Sequence, residues 1–251
     1  MKDVELREQV KQLWRWLRES RFTVAVTGAG ISVPAGIMAF EGMDFPVVLQ
    51  MSSLTVLRSA PEHYYKMARK AFLDAMFENG PTLTHKTLAK LEKRGLLQAI
   101  ITTNIDCLHT LAGSENIAEL QGSFGVNKCL KCGRHNDDVH IWAQGKMPCC
   151  PVCGGLMSMY PVYAHTGLFE RDVQIARCWL SQAELVLFIG TNGPYSGVYE
   201  DVIREDTRIV QINPEKTVFD GMSQLCIREK SDHAFRLLDH LEENGVDFPC
   251  R

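Results

Sequence analysis

Phe22-Thr23-Val24-Ala25-Val26-Thr27-Gly28-Ala29-Gly30-Ile31-Ser32 is the stretch that decides the fold. Phe22 to Val26 is short, apolar and β-branched, so it reads as a buried strand running straight into Thr27-Gly28-Ala29-Gly30. Gly28-Ala29-Gly30-Ile31-Ser32, with Gly36 beyond, then lies between that strand and an expected helix. Glycines here permit a tight turn and close backbone approach to a pyrophosphate, whose charge is met by N–H groups at a helix start. Gly-x-Gly also serves plain strand-to-helix turns, so position alone leaves both readings open.

Outward from this stretch the same alternation recurs. Residues 4–19 put Leu6, Val10, Leu13, Trp14 and Leu17 on one helical face. Helices are expected over 62–79 and 84–94, the second capped by Gly95. Gln98–Thr102, Glu184–Ile189 and Arg208–Ile212 read as further strands, each leading into a loop with Gly, Asn or Pro. A last helix covers about 232–243, with Phe235, Leu238 and Leu241 inward. Apolar strands alternating with helices predict an α/β fold, a Rossmann-like parallel sheet with helices on both faces. The stretch 125–160 breaks the pattern: it is rich in Cys, Gly, His and Lys and is expected to form a small module held by metal.

The 251 residues are 45% hydrophobic and 23% charged, enough for a single domain of this class with a subdomain. A net charge of -3 gives no basic field to attract nucleic acid. No apolar run approaches the roughly 20 residues of a membrane span, and Met1-Lys2-Asp3-Val4-Glu5 lacks a secretion pattern. The expectation is therefore a cytoplasmic protein with neither membrane nor nucleic-acid partner.

Nine cysteines are an odd number, and four fall in two Cys-x-x-Cys pairs. Cys129 and Cys132 are followed, after 17 residues, by Cys150 and Cys153, a spacing that suits one structural zinc bound by four thiolates. With all four positions filled, such a metal staples and does not catalyse. Cys149 is the alternative to Cys150, and His135 and His140 read as surface residues.

Several motifs in order resemble the sirtuin family. Residues Gly28 to Gly42 are similar without a gap to GAGISxxSGIPxFRG, and Thr102 to Gly113 to TQNIDxLHxxAG. Pro81, His85, Gly190-Thr191-Asn192 and Ile212-Asn213 match further landmarks, and Cys150 to Gly155 fits CPxCGG, which selects Cys150 over Cys149. The resemblance covers nearly the whole chain. It implies one catalytic domain over 1–251, with a large Rossmann-like part at about 1–36, 81–124 and 161–251. A small zinc-containing part would occupy about 37–80 and 125–160.

It also implies NAD as co-substrate. Gly28, Ala29, Gly30 and Ser32 would hold the pyrophosphate, and Phe40 would shield the ribose carbon once nicotinamide leaves. Asn104, Ile105 and Asp106 would line the nicotinamide pocket, while Gly190, Thr191, Asn192 and Asn213 would lie along the adenosine half. Turn residue for Asn104 and helix cap for Asp106 are the competing local roles.

The likeness breaks at the family's catalytic His. Where the family reads V-x-E-L-H-G-S this chain has Ile117-Ala118-Glu119-Leu120-Gln121-Gly122-Ser123, and the Gln121 amide has no useful basicity at neutral pH. Ala39 and Glu41 replace an Asp and an Arg, and Ala164-His165-Thr166 replaces the FGE of a segment that pairs with acyl-lysine peptides. Leu120-Gln121-Gly122 is similar instead to a macrodomain-linked branch of the family, which implies protein ADP-ribosylation. The expected function is thus NAD cleavage with ADP-ribosyl transfer to a protein acceptor. The alternatives are a slow protein-lysine deacylase or an NAD-sensing module without chemistry, and Asn104, Asp106 and Gln121 are the candidate catalytic residues.

Overall fold

The computed structural model describes residues 2–38, 42, 45–160, 168–193, 197 and 200–243. Helix α1 (Lys2–Glu19) buries Leu6, Val10, Leu13, Trp14 and Leu17, the face expected from their spacing. Strand β1 (Thr23–Thr27) is buried throughout. The glycine loop after β1 does not open a helix, contrary to the expectation from its sequence. Ala29–Ile31 and Val33–Ala35 are two short 3-10 turns, and Gly36, at φ 90°, ends the second in a left-handed conformation open mainly to glycine.

Helices α2 (Phe45–Met51) and α3 (Leu54–Ser59) lead into α4 (Pro61–Ala68) and α5 (Asp74–Glu78). The sequence reads 62–79 as one helix, but a π-turn over Arg69–Leu73 separates the last two. The Asp74 N–H bonds the Arg69 carbonyl five residues back, and the Arg69 and Asp74 side chains pair at 2.8 Å across the same step. The extra residue turns Phe72 and Leu73, neighbours in sequence, both inward.

Helix α6 (Leu83–Lys93) ends at Gly95, which has φ 71° and caps the helix as its sequence predicts. Then come β2 (Ala99–Thr102), α7 (Leu108–Ala112), β3 (Ile117–Glu119) and β4 (Ser123–Cys129). Strands β5 (His135–Asn136) and β6 (Met157–Tyr160) precede helix α8 (Glu170–Gln182). The chain continues through β7 (Leu185–Ile189), β8 (Arg208–Ile212), β9 (Leu225–Ile227) and α9 (Ser231–Glu243). Strands β3 and β9 are only three residues long, too short to leave a periodic signal in the sequence.

Among the described residues, six parallel strands form one sheet in the order β3-β2-β1-β7-β8-β9. Burial on both faces explains the unbroken apolar runs. Leu185, Leu187 and Ile189 of β7 face the core under α1, α6 and α9, while Val186 and Phe188 face the core under α8. A three-stranded antiparallel sheet, β5-β4-β6, carries the cysteine region. Its separate core joins Tyr64, Phe72 and Leu73 to Phe124, Trp142 and Met157. Phe124 links the two sides, with ring centroids 5.7 Å from Phe72 and 5.2 Å from Trp142. No described helix is long and apolar enough to cross a membrane.

Candidate active site and metal centre

The strand order fixes where a site belongs. From β1 the chain builds outward through β2 and β3, then returns to β1 and builds the other way through β7 and β8. A parallel sheet opens a crevice at such a reversal, at the carboxyl ends of its strands. The loops leaving β1, β2, β3, β7 and β8 there carry Gly28, Asn104, Gln121, Gly190 and Asn213.

Two clusters form in the crevice. In the first, Asn104 donates from Nδ2 to the Gly28 carbonyl at 3.1 Å and to Ser32 Oγ at 3.2 Å. Ser32 Oγ donates to Asp106 Oδ2 at 2.6 Å, and the Leu108 N–H bonds Asp106 Oδ1 at 3.0 Å. Asp106, one residue before the Cys107 N-cap, therefore takes the first N–H of α7 while holding the Ser32 hydroxyl. Burial pushes its carboxyl above the usual range, against the Ser32 and Leu108 bonds that pull it down. Asn104, Asp106 and Ser32 are all buried, whereas Ile105 is half-buried and its carbonyl accepts from the Phe124 N–H at 3.0 Å.

In the second cluster Asn213 donates from Nδ2 to the Thr191 carbonyl at 3.2 Å and toward Asn192 Oδ1 at 3.4 Å. Thr191 is buried and Asn192 exposed. The glycine loop joins the two clusters, its Gly28 and Gly30 amides bonding the carbonyls of Ile189 and Gly190. A Cβ at Gly28 would lie 2.8 Å from Thr191 Cβ. The amides of Ile31 and Ser32 close the 3-10 turn onto Gly28 and Ala29, so the loop does not present the fan of N–H groups expected of a helix start.

Gln121 stands on the turn Glu119–Gly122, closed by the Gly122 N–H on the Glu119 carbonyl at 2.8 Å. Leu120 ties this turn to Thr102 of β2 and to Phe169 ahead of α8, through bonds of 2.9 and 2.6 Å. Phe40, Ala39 and Glu41 lie outside the described residues, as do Ala164, His165 and Thr166.

Four further polar residues pack around these clusters. Cys107, at φ 58°, is the one described non-glycine residue with positive φ. Its thiol, pushed far up by burial, lies 3.2 Å from Ser123 Oγ. Behind the first cluster, His109 Nε2 meets Thr27 Oγ1 at 2.9 Å and His85 Nδ1 meets Thr82 Oγ1 at 2.7 Å. The two rings pack edge to face with centroids 4.7 Å apart, and both are buried.

In the small module the Sγ atoms of Cys129, Cys132, Cys150 and Cys153 all lie within 4.8 Å of one another. Cys129 and Cys153 are 3.5 Å apart, Cys132 and Cys150 3.8 Å. Zinc–sulfur bonds of about 2.3 Å in a tetrahedron demand sulfurs roughly 3.8 Å apart, so the four fit zinc. The N–H groups of Cys132 and Lys131 point at Cys129 Sγ and hold its thiol down, to about 6. Cys149 instead turns its thiol to the Met147 carbonyl, and His135 and His140 are exposed.

Comparison with known proteins agrees with this architecture. The sequence profile of the Sir2 family matches residues 28–194. An NAD-dependent protein deacetylase of Thermotoga maritima is 31% identical over 226 residues, 86% of this chain and 92% of that protein. An NAD-dependent protein deacylase of Pyrococcus furiosus is 31% identical over 230 residues, 86% of this chain and 90% of that one. Among solved structures, one described as "The Structural basis of Sirtuin Substrate Affinity" superposes with a TM-score of 0.78 at 30% identity, over 92% of this chain and 98% of that one. Another, described as "Sir2-p53 peptide-NAD+", gives 0.75 at 31%, over 94% and 99%.

Proposed function

The chain belongs to the Sir2 family, and from that premise we propose that it cleaves the nicotinamide–ribose bond of NAD and passes the ADP-ribosyl group to a protein nucleophile. The reading rests chiefly on the buried net of Asn104, Ser32 and Asp106 at the switch of the sheet. In the cleavage step the carbon–nitrogen bond breaks, its electron pair leaves with nicotinamide, and the ribose carbon becomes cation-like. Fixed dipoles in an enclosed pocket stabilise such a centre without needing a base. The Asn104 amide and Asp106 carboxyl supply those dipoles. Gly28, Ala29, Gly30 and Ser32 would flank the pyrophosphate, Gly190, Thr191, Asn192 and Asn213 the adenosine half, and Phe40 the ribose. Cys129, Cys132, Cys150 and Cys153 would hold one structural zinc that shapes the small module.

Gln121 separates the two acceptor readings. A deacylase needs a base to take a proton from a ribose hydroxyl, and an amide cannot do so; losing a positioned base costs about 10²–10⁴-fold. Transfer to an acceptor that brings its own ionised nucleophile does not need that base. The relatives are named deacetylases and deacylases, which favours slow lysine deacylation as the second reading.

The test pairs nicotinamide release with two product assays, labelled NAD transferred to lysate protein and deacylation of an acyl-lysine peptide. Release with labelled protein and little deacylation is expected. Gln121→His should stay a poor deacylase, because Glu41 and Ala164-His165-Thr166 also depart from the family's pattern. Strong deacylation by the parent would establish the second reading, and no release under any condition would leave an NAD-binding module.

A further inference from the structure

Glu119 and Ser123, on either side of Gln121 in the chain, join Cys107 in a polar cluster that the proposed chemistry does not use. Ser123 Oγ accepts the Gly125 N–H at 3.0 Å, takes the Cys107 Sγ contact at 3.2 Å, and stands 2.6 Å from Glu119 Oε2. A hydroxyl has one proton and two acceptor sites. With both acceptor sites in use, the Ser123 proton goes to Glu119, and Oε2 must accept it. Cys107 Sγ also lies 3.9 Å from Oε1, but its one proton serves Ser123, so the Ser123 hydroxyl is the donor to the carboxyl.

The same residue builds the turn above. The Glu119 carbonyl accepts the Gly122 N–H that closes the turn carrying Gln121. The Glu119 N–H donates to Asp172 Oδ2 at 2.9 Å, and Asp172 Oδ1 takes Arg171 Nε at 2.7 Å. Glu119 thus holds the Gln121 turn by both backbone groups, and by its side chain it holds Ser123, the residue where the chain re-enters β4.

We infer that Glu119 is a positioning residue for Gln121, and that its anionic carboxylate is the form that sets the turn. The charged and titratable groups facing it are Asp172 and Arg171 from α8, and Asp106 and Cys107 from the loop after β2. Burial makes the anion costly and pushes the carboxyl up to about 7, while the Ser123 bond pulls the other way. A carboxylate whose hydroxyl donor suits the anion but whose surroundings penalise it resembles groups kept for function rather than stability. Protonation at Oε1 would leave that proton with only a thiol beside it, and the turn would lose its anionic anchor.

Two measurements test this, and only the kinetic one depends on the NAD-cleaving reading. Nicotinamide release by the parent should rise across pH 6–8 with one ionisation near 7. Glu119→Gln keeps an acceptor for Ser123 but cannot ionise. It should give a flat profile, with kcat at pH 8 lower by about tenfold or more and KM for NAD within about twofold, since uniform binding is untouched. Ser123→Ala removes a bond that favours the anion, so the parent's ionisation should move to higher pH. Independently, the side-chain amide resonance of Gln121, assigned by its loss in Gln121→Ala, should shift with a midpoint near 7 in the ligand-free parent and not in Glu119→Gln. A Gln121 resonance that titrates identically in both proteins overturns the inference whatever the activity. A parent that releases no nicotinamide but shows the Glu119-dependent titration fails the functional proposal alone.

Discussion

The Gly30 N–H donates to the Gly190 carbonyl at 2.9 Å, and a Cβ added to Gly30 would lie 2.8 Å from that same oxygen and 2.9 Å from Gly190 Cα. The restriction is mutual, because a Cβ on Gly190 would meet Ile31 N at 2.8 Å. The glycines are therefore required first by the approach of two protein loops.

Gly30→Ala should accordingly destabilise the fold, by about 1–3 kcal/mol as expected for overpacking against backbone. Urea unfolding measures it. A Gly30→Ala protein with the parent's midpoint and no affinity for NAD would show that the glycine serves the ligand alone.

Asn104→Ala removes the donor shared by the Gly28 carbonyl and Ser32 Oγ. The Gly28 carbonyl keeps its Ile31 N–H and Ser32 Oγ its bond to Asp106, so losing two buried bonds costs about 1–3 kcal/mol. Nicotinamide release should fall far more than the folded fraction does. Calorimetric unfolding and a release assay on the same preparation check both halves, and near-parental turnover in a folded Asn104→Ala protein would remove Asn104 from the chemistry.

The buried histidines make stability depend on pH. Burial holds His85 down to about 3 and His109 well below 6.5, with His85 adding to the effect on His109. Lowered imidazole values mean the neutral forms belong to the fold. Their contribution is complete above about 6.5 and is lost as pH falls below it, toward 3 for His85, at about 1.4 kcal/mol per pH unit for each ring. Glu119 and Asp106 act oppositely, because raised carboxyl values favour the fold when protonated and lose that contribution as pH rises, through about 7 for Glu119. The difference between parent and His85→Gln isolates the imidazole. Between pH 7.5 and 5.5 the parent's urea midpoint should fall more than the variant's, and equal falls would mean that His85 does not titrate.

Metal removal should act on the small module first. Cys129 and Cys150 are buried in the core that contains Trp142 and Phe124. Chelation, or Cys129→Ser, should release one zinc per chain and lower the melting temperature, by roughly 2–4 °C for each kcal/mol lost. Trp142, fully buried, reports the change by fluorescence. Parental zinc content in Cys129→Ser would break the assignment.

Four of the six strands of the large sheet, β1, β2, β7 and β8, were legible because burial on both faces leaves runs such as Val24-Ala25-Val26 and Leu185 to Ile189 with no polar interruption. The cysteine pairs were legible because ligand spacing is local. The π-turn at Arg69–Leu73 was not, since an inserted residue changes a helix only through what Phe72 and Leu73 pack against. Helix α8 was not read from the sequence: Val173, Ala176 and Leu180 are buried with Ile175 and Trp179 beside them, and Asp172 breaks the apolar pattern because it bonds Glu119. Glu119 and Ser123 lie in a motif quoted from the sequence, but their link to each other and to Cys107 comes from lying together in space.

The middle of the large sheet is a seam between distant parts of the chain, Thr23 pairing with Leu185 and Thr27 with Ile189. During synthesis β1, β2 and β3 can meet early, but one edge of β1 must wait for β7 to leave the ribosome. Until then an apolar strand offers unpaired backbone to any neighbouring strand, a recognised route to aggregation. Closing so long a loop also delays the nucleus of the sheet, whereas the cysteine knuckle between 129 and 153 needs only local contacts. The central pairing of the sheet therefore waits for β7, and β8 and β9 extend the sheet to its edge only after it.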